Sequence, residues 1–137
     1  GYDDAIYASC RLVEILAKTT RSLSALVADL PKTSVTPEIR VDVSDSIKFE
    51  LVRHVQKRLA DCTKTREELG PAKLVIRDVV TIDGVRAIFD DGWGLIRASN
   101  TQPALVLRFE ATSPERLATI RAVIEGELLA AKQALGC

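Results

Sequence analysis

The chain has 137 residues, 47% of them apolar and 28% charged, with nineteen basic side chains against nineteen acidic ones. That profile fits one ordinary soluble domain plus an appendage. Balanced charge with two Tyr, three Phe and one Trp excludes a dedicated nucleic-acid binder, which needs a basic patch.

In chain order, Asp4 to about Lys18 reads as a helix: Asp3 or Asp4 caps it, and Ile6, Val13 and Leu16 with Ala5, Leu12 and Ile15 form a broad apolar face. A shorter helix follows from Ser22, carrying Leu23, Leu26, Val27 and Leu30 up to Pro31. Residues 31–37, polar and bounded by Pro31 and Pro37, are the best linker in the chain. Glu38–Val43 alternates as a strand. Ser44 or Asp45 is expected to cap the next helix, where Ile47, Leu51, Val55 and Leu59 repeat every four residues. Asp61 to Pro71 reads as a solvated connector to a strand near Leu74–Ile76. Asp83-Gly84 and Asp91-Gly92 signal hairpin turns, so the segments 79–82, 85–89 and 93–97 should form a meander. Ala104–Ala111 alternates and should bury one face. Pro114, after Thr112 and Ser113, opens a long final helix lined by Leu117, Ile120, Ile124, Leu128, Ala131 and Leu135. The expected fold is α+β, a mainly antiparallel sheet with two helices packed on one face, preceded by a helical segment.

The chemistry concentrates in Arg97-Ala98-Ser99-Asn100-Thr101-Gln102-Pro103, between two strand-like segments. A guanidinium, two hydroxyls and a carboxamide sit in five residues, a donor-rich cradle for an anion with three oxygens such as a phosphate monoester. Backbone N–H groups of the turn are available to point inward. On composition the loop has a second reading, a polar connection whose side chains merely cap backbone groups. Arg108 shares a face with Val106 and Glu110; a cross-strand salt bridge takes precedence there over phosphate contact. Trp93 is expected to cover the sheet. His54, the sole histidine, lies just off an apolar helix line and has no nucleophile or metal partner. Asp3-Asp4 and Asp90-Asp91 read as helix-start and turn pairs, and no converging oxygen set for a metal is evident. Cys10, Cys62 and Cys137 are odd in number and widely spaced, which points to reduced thiols in the cytoplasm. No apolar run approaches a membrane span, no signal-peptide layout is present, and Gly1 in place of Met reads as the start of an excised piece.

Arg97–Thr101, Pro103 and Arg108-Phe109-Glu110 resemble the C-terminal phosphate-binding loop of the α-D-phosphohexomutases, most nearly their bacterial phosphomannomutase/phosphoglucomutase subgroup. Phosphoglucosamine mutases typically carry Gly where this chain has Asn100. Asp3–Ala8 and Leu12–Leu16 resemble the helix that closes the family's third domain. Gln102 departs from the pattern, that position being more often Thr or Glu, and it lies outside the donor set. The resemblance implies a TATA-binding-protein-like fold, with residues 1–30 the terminal helices of a preceding domain, 31–37 a hinge and 38–137 the phosphate-binding domain. It implies that Arg97, Ser99, Asn100 and Thr101 hold the substrate phosphate, with Arg108 as possible support and no catalytic residue in this piece. The family's phosphoserine, Mg²⁺ and sugar-recognition loops do not occur in the chain, so the piece alone should do no chemistry and bind no cofactor. The parent enzyme would use Mg²⁺ and a hexose 1,6-bisphosphate activator. Expected partners are a hexose phosphate and the preceding domains, with no nucleic acid and no membrane, in a monomer. The alternative is a free-standing phosphosugar-binding module without catalysis.

Overall fold

A computed structural model describes residues 3–136; Gly1 and Cys137, considered above, lie outside the described residues. The chain divides into two compact units, one ending at Lys32 and the other beginning at Thr33. The first holds helices α1 (Ala5–Ala17) and α2 (Leu23–Leu26). The Asp4 carboxylate accepts from the Tyr7 N–H at 2.8 Å, the cap expected for α1, and the Ser22 hydroxyl accepts from the Ala25 N–H at 3.3 Å and caps α2. Helix α2 ends after Leu26 rather than running to Leu30. One turn with no buried residue gains too little to propagate.

The second unit contains β1 (Ser34–Val35), β2 (Ile39–Asp42), α3 (Lys48–Thr65), β3 (Glu68–Leu69), β4 (Leu74–Val75), β5 (Asp78–Val80), β6 (Val85–Phe89), β7 (Gly92–Ala98), β8 (Ala104–Ala111) and α4 (Pro114–Ala134). Six strands make one antiparallel sheet in the order β1-β8-β7-β6-β5, with β2 pairing to β8 beside β1. β8 therefore runs inside the sheet, between β7 and the edge formed by β1 and β2. Period-two alternation sends Val85, Ala87, Phe89, Ile96, Leu105, Leu107 and Phe109 to one face, and all are buried. Against that face lie α3, through Leu51, Val55 and Leu59, and α4, through Ile120, Ile124 and Leu128. Ser113 caps α4 with Pro114 at its first position, as its sequence predicts. The architecture is the α+β arrangement expected.

Several local differences have identifiable causes. Ser34–Val35, inside the stretch expected as linker, pair with Ala111 and Glu110 of β8. Thr36 extends the attachment, its N–H donating to the Phe109 carbonyl and its hydroxyl accepting from the Phe109 N–H. Helix α3 begins at Lys48 after Ile47, with no side-chain cap. Ser44 offers its carbonyl to the Ile47 and Lys48 N–H groups instead, and Asp45 pairs with Lys48, so neither caps the helix as expected. At its other end α3 runs on through Thr65, because Cys62 continues the buried stripe; it stops at Arg66, whose φ of 53° is left-handed. Leu74–Val75 join β3 in a separate two-stranded ribbon rather than the main sheet. The β6–β7 turn is Asp90-Asp91, not Asp91-Gly92: Phe89 pairs directly with Gly92. Val106 is buried on the face opposite the helices, so β8 does not bury one face only. Its register partners are Arg40 and Arg97, whose long side chains flank it.

The stretch expected as a solvated connector holds an ion cluster. Arg58 donates to both Glu67 oxygens, at 2.7 and 2.5 Å, and to Glu127 at 3.2 Å. These bonds hold the Glu67 carboxyl below the ordinary carboxylate range. Burial, foremost, pushes the Cys62 thiol beside it up to about 11, marking an inert thiol. Because the folded-state value of Glu67 is depressed, its contribution is present above the unfolded value of 4.5 and is lost as pH falls through the folded value. Glu67→Gln should therefore be less stable than the unaltered chain in urea unfolding at pH 7. The two should converge as pH falls below the depressed folded-state value.

Candidate functional site

The loop 99–103 leaves β7 at Ala98 and re-enters the sheet at Ala104. Strand alternation buries Ala98 toward the helices and turns Arg97 to the other face, half-buried beside Val106. There the Arg97 Nη1 donates to Asp83 Oδ2 at 3.3 Å. Asp83 is brought to it by Gly84, whose φ of +84° turns the chain against the Ile96 carbonyl and the Arg97 backbone.

Ser99 organises the loop from within. Its N–H donates to the Ala104 carbonyl at 2.9 Å, closing the turn. Its hydroxyl oxygen accepts from the N–H groups of Thr101 (3.4 Å) and Gln102 (3.2 Å). The capping reading of this loop is thus true of Ser99, and those two backbone N–H groups turn onto its oxygen instead of pointing inward at an anion as the sequence suggested. What Ser99 keeps is its hydroxyl proton, free to be given to a further acceptor. Asn100 and Thr101 are exposed, and among the described residues their side chains have no partner. The loop accordingly presents several donors, the remaining N–H groups of Arg97, the Ser99 and Thr101 hydroxyl protons and the Asn100 amide N–H groups, beside acceptors on the Thr101 hydroxyl and the Asn100 amide oxygen. Its acceptor capacity on Ser99 is already used by the backbone. Such a surface suits a ligand atom that only accepts, as the oxygens of a dianion do.

Arg108 lies on the same sheet face, registered with Leu95, two residue pairs further from the loop than Arg97. It is exposed and makes no ion pair among the described residues, so the expected cross-strand salt bridge does not form. Trp93 does cover this face, and the Arg86 guanidinium stacks 4.2 Å from its ring centroid. His54 is exposed on α3. Among the described residues no three His, Cys, Asp or Glu side chains gather where they could hold a metal ion. No helix among them is long and apolar enough to cross a membrane. A cavity of about 450 Å³ lies between Gly70–Ala72 and the Thr119–Glu127 stretch of α4 and includes no residue of the loop. It is apolar, whereas an anion site is a shallow ring of donors.

Three residues that position the loop were not evident from the sequence. Asp83 pairs with Arg97, as described. Lys48, its side chain only 5% exposed, donates to the Gln102 carbonyl at 3.0 Å. Arg40 donates to the Gln102 side-chain oxygen. One signal was available: Lys48 occupies the same helical stripe as buried Leu51, Val52, Val55, Leu59 and Cys62, where a cation needs an explanation.

Residues 38–127, which contain this loop and most of the sheet and helices around it, match the family model for the phosphoglucomutase/phosphomannomutase C-terminal domain. The phosphomannomutase/phosphoglucomutase of Pseudomonas putida is 45% identical over 129 residues, 94% of this chain and 25% of that protein. The phosphoglucomutase of Neisseria meningitidis serogroup B is 38% identical, covering 91% of this chain and 25% of that protein. A crystal structure of a phosphoglucomutase/phosphomannomutase family protein from Burkholderia thailandensis superposes with a TM-score of 0.70 at 38% identity, covering 96% of this chain and 25% of that one. This chain therefore spans 25% of the length of the relatives it matches. With fold, sequence and solved neighbour in agreement, the chain belongs to the phosphoglucomutase/phosphomannomutase family, and what it carries is that family's C-terminal domain.

Proposed function

We propose that this chain grips the phosphate of a hexose phosphate for a mutase that interconverts hexose 1-phosphate and hexose 6-phosphate, of mannose or glucose. The reading rests above all on the loop 97–101, which gathers a guanidinium fork, two hydroxyl protons and an amide within five residues. Arg97 pairs with the phosphate that is not being transferred, Ser99 and Thr101 give hydroxyl protons, Asn100 gives its amide or shapes the turn, and Arg108 supports from two residue pairs away. In this reading the rest of the enzyme supplies the phosphoserine and the Mg²⁺ site and uses a hexose 1,6-bisphosphate, and this chain alone does no chemistry. Residues 1–30 close the preceding domain, 31–37 act as hinge, and 38–137 swing over the cleft of a monomeric, cytoplasmic enzyme.

A bisphosphorylated intermediate must turn end for end between the two half-reactions, so the distal clamp has to accept either end. A cradle of phosphate donors without a sugar-specific wall meets that need. The test is an amide chemical-shift titration of the chain with glucose 1-phosphate, with glucose as control. Shifts confined to Arg97–Thr101 and their neighbours, seen only with the phosphate, are expected. Shifts that map elsewhere, or that glucose produces equally, would overturn the assignment. Complete silence would remove the free-standing module and leave a loop that works only against its partner domains.

A further inference from the structure

Lys48 is out of place by every local rule. It is the first residue of an 18-residue helix, where the macrodipole disfavours a cation. Its side chain is only 5% exposed, and burying an ammonium is costly unless it is paired and hydrogen-bonded. A methionine of similar length would meet neither penalty.

The partners of Lys48 explain it. Asp45, three residues back, neutralises the charge from a side chain 70% exposed. The Phe49 ring lies 5.2 Å from Nζ. Both are local. The distant partner is the Gln102 main-chain carbonyl, 54 positions along the chain and immediately after Thr101. The same short segment holds the loop exit twice more: Arg40 grips the Gln102 side chain, and the Val43 N–H donates to the Pro103 carbonyl at 3.0 Å. Ser99 fixes the loop from inside, and residues 40–48 fix it from outside.

We infer that Lys48 is a positioning residue for the anion loop, holding Ser99, Asn100 and Thr101 in register through the Gln102 carbonyl. This deepens the phosphate-binding reading and rests on it. Lys48 touches no ligand; it removes the freedom of the backbone that carries the donors. Reacting or binding groups displaced by about 1 Å lose up to about 100-fold in effect, so such an anchor acts on affinity rather than on folding. Gln102 is thereby the point where both cations hold.

The test uses Lys48→Met and Gln102→Ala in the 137-residue chain, with Arg97→Ala as reference. Lys48→Met should keep or raise the melting temperature, since a desolvated charge is gone. Its Asn100, Thr101 and Gln102 amides should loosen, with ¹⁵N order parameters falling from about 0.85 to below about 0.6 while β7 and β8 stay rigid. Affinity for glucose 1-phosphate should fall roughly 10- to 100-fold. Gln102→Ala, which spares the carbonyl, should loosen the loop less. Unchanged loop order in Lys48→Met would overturn the inference, as would a melting temperature that falls with loop and core loosening together, or equal loosening in Gln102→Ala. Arg97→Ala binding glucose 1-phosphate as well as the unaltered chain would instead sink the phosphate reading, and the order parameters would still report on Lys48.

Discussion

Arg97→Ala should weaken the hold on a hexose phosphate roughly 10- to 100-fold, seen as a matching loss of kcat/KM in a mutase carrying this chain. Two energies set that size. A hydrogen bond to a charged group contributes about 1.5–3 kcal/mol. Against it stands the pair that Arg97 makes with Asp83, with side chains 38% and 63% exposed. An exposed pair of that kind is worth about 0–1 kcal/mol. On the proposed reading a phosphate dianion should outcompete the carboxylate for the guanidinium, with Asp83 holding the fork until a ligand arrives. Arg97→Lys keeps the charge but loses the planar fork, and should recover only part of the affinity. Titration calorimetry of the three proteins with glucose 1-phosphate measures this directly, and near-normal binding by the alanine variant would end the assignment.

The second large effect is expected at Gly84, through a backbone contact. A Cβ there would lie 2.2 Å from the Ile96 carbonyl oxygen and 2.7 Å from both Cα and Cβ of Arg97. The φ of +84° adds its own penalty for any L side chain. Strained φ and forced overpacking together amount to about 2–5 kcal/mol, or a fall of roughly 10 °C or more in melting temperature. Asn tolerates left-handed backbone, so a turn that needed only the dihedral would accept Gly84→Asn. Here the carbonyl remains in the way, and Asn should fare nearly as badly as Ala. Since the atoms displaced belong to Ile96 and Arg97, phosphate affinity should fall along with stability. A thermal melt of both variants decides the matter; a Gly84→Asn melt close to that of the unaltered chain would show that the turn relaxes away from β7.

The elements with strong periodicity were legible: β8 and α4 fall where alternation and the Ser113-Pro114 start place them, and the loop 99–103 joins two strands as its composition predicts. The Asp83–Arg97 pairing was hidden by a single residue. Reading the hairpin as Asp91-Gly92 shifts the register, whereas the observed Asp90-Asp91 turn pairs Val85 with Ile96 and so sets Gly84 opposite Arg97. Gly92 belongs in the strand because its Cβ would stand 2.4 Å from the Glu110 carbonyl. β1 and the β3–β4 ribbon, two residues per strand, are too short for alternation to register. Lys48 escaped because a helix reading by apolar spacing counts lysine as surface, and only the far partner at Gln102 shows otherwise.

The grip on Gln102 also has a history in time. Arg40 waits for a partner 62 positions further along the chain, and Lys48 for one 54 positions on. At about 5–20 residues made per second, the first cation is synthesised roughly 3–12 seconds before the residue it will hold. The β6–β7–β8 meander closes by short local turns as it emerges, while β2 has no neighbour until Ala104–Leu107 exist. A nascent chain thus makes both cations well before Gln102, and the loop 99–103 is held from both sides only once β8 has paired with β2.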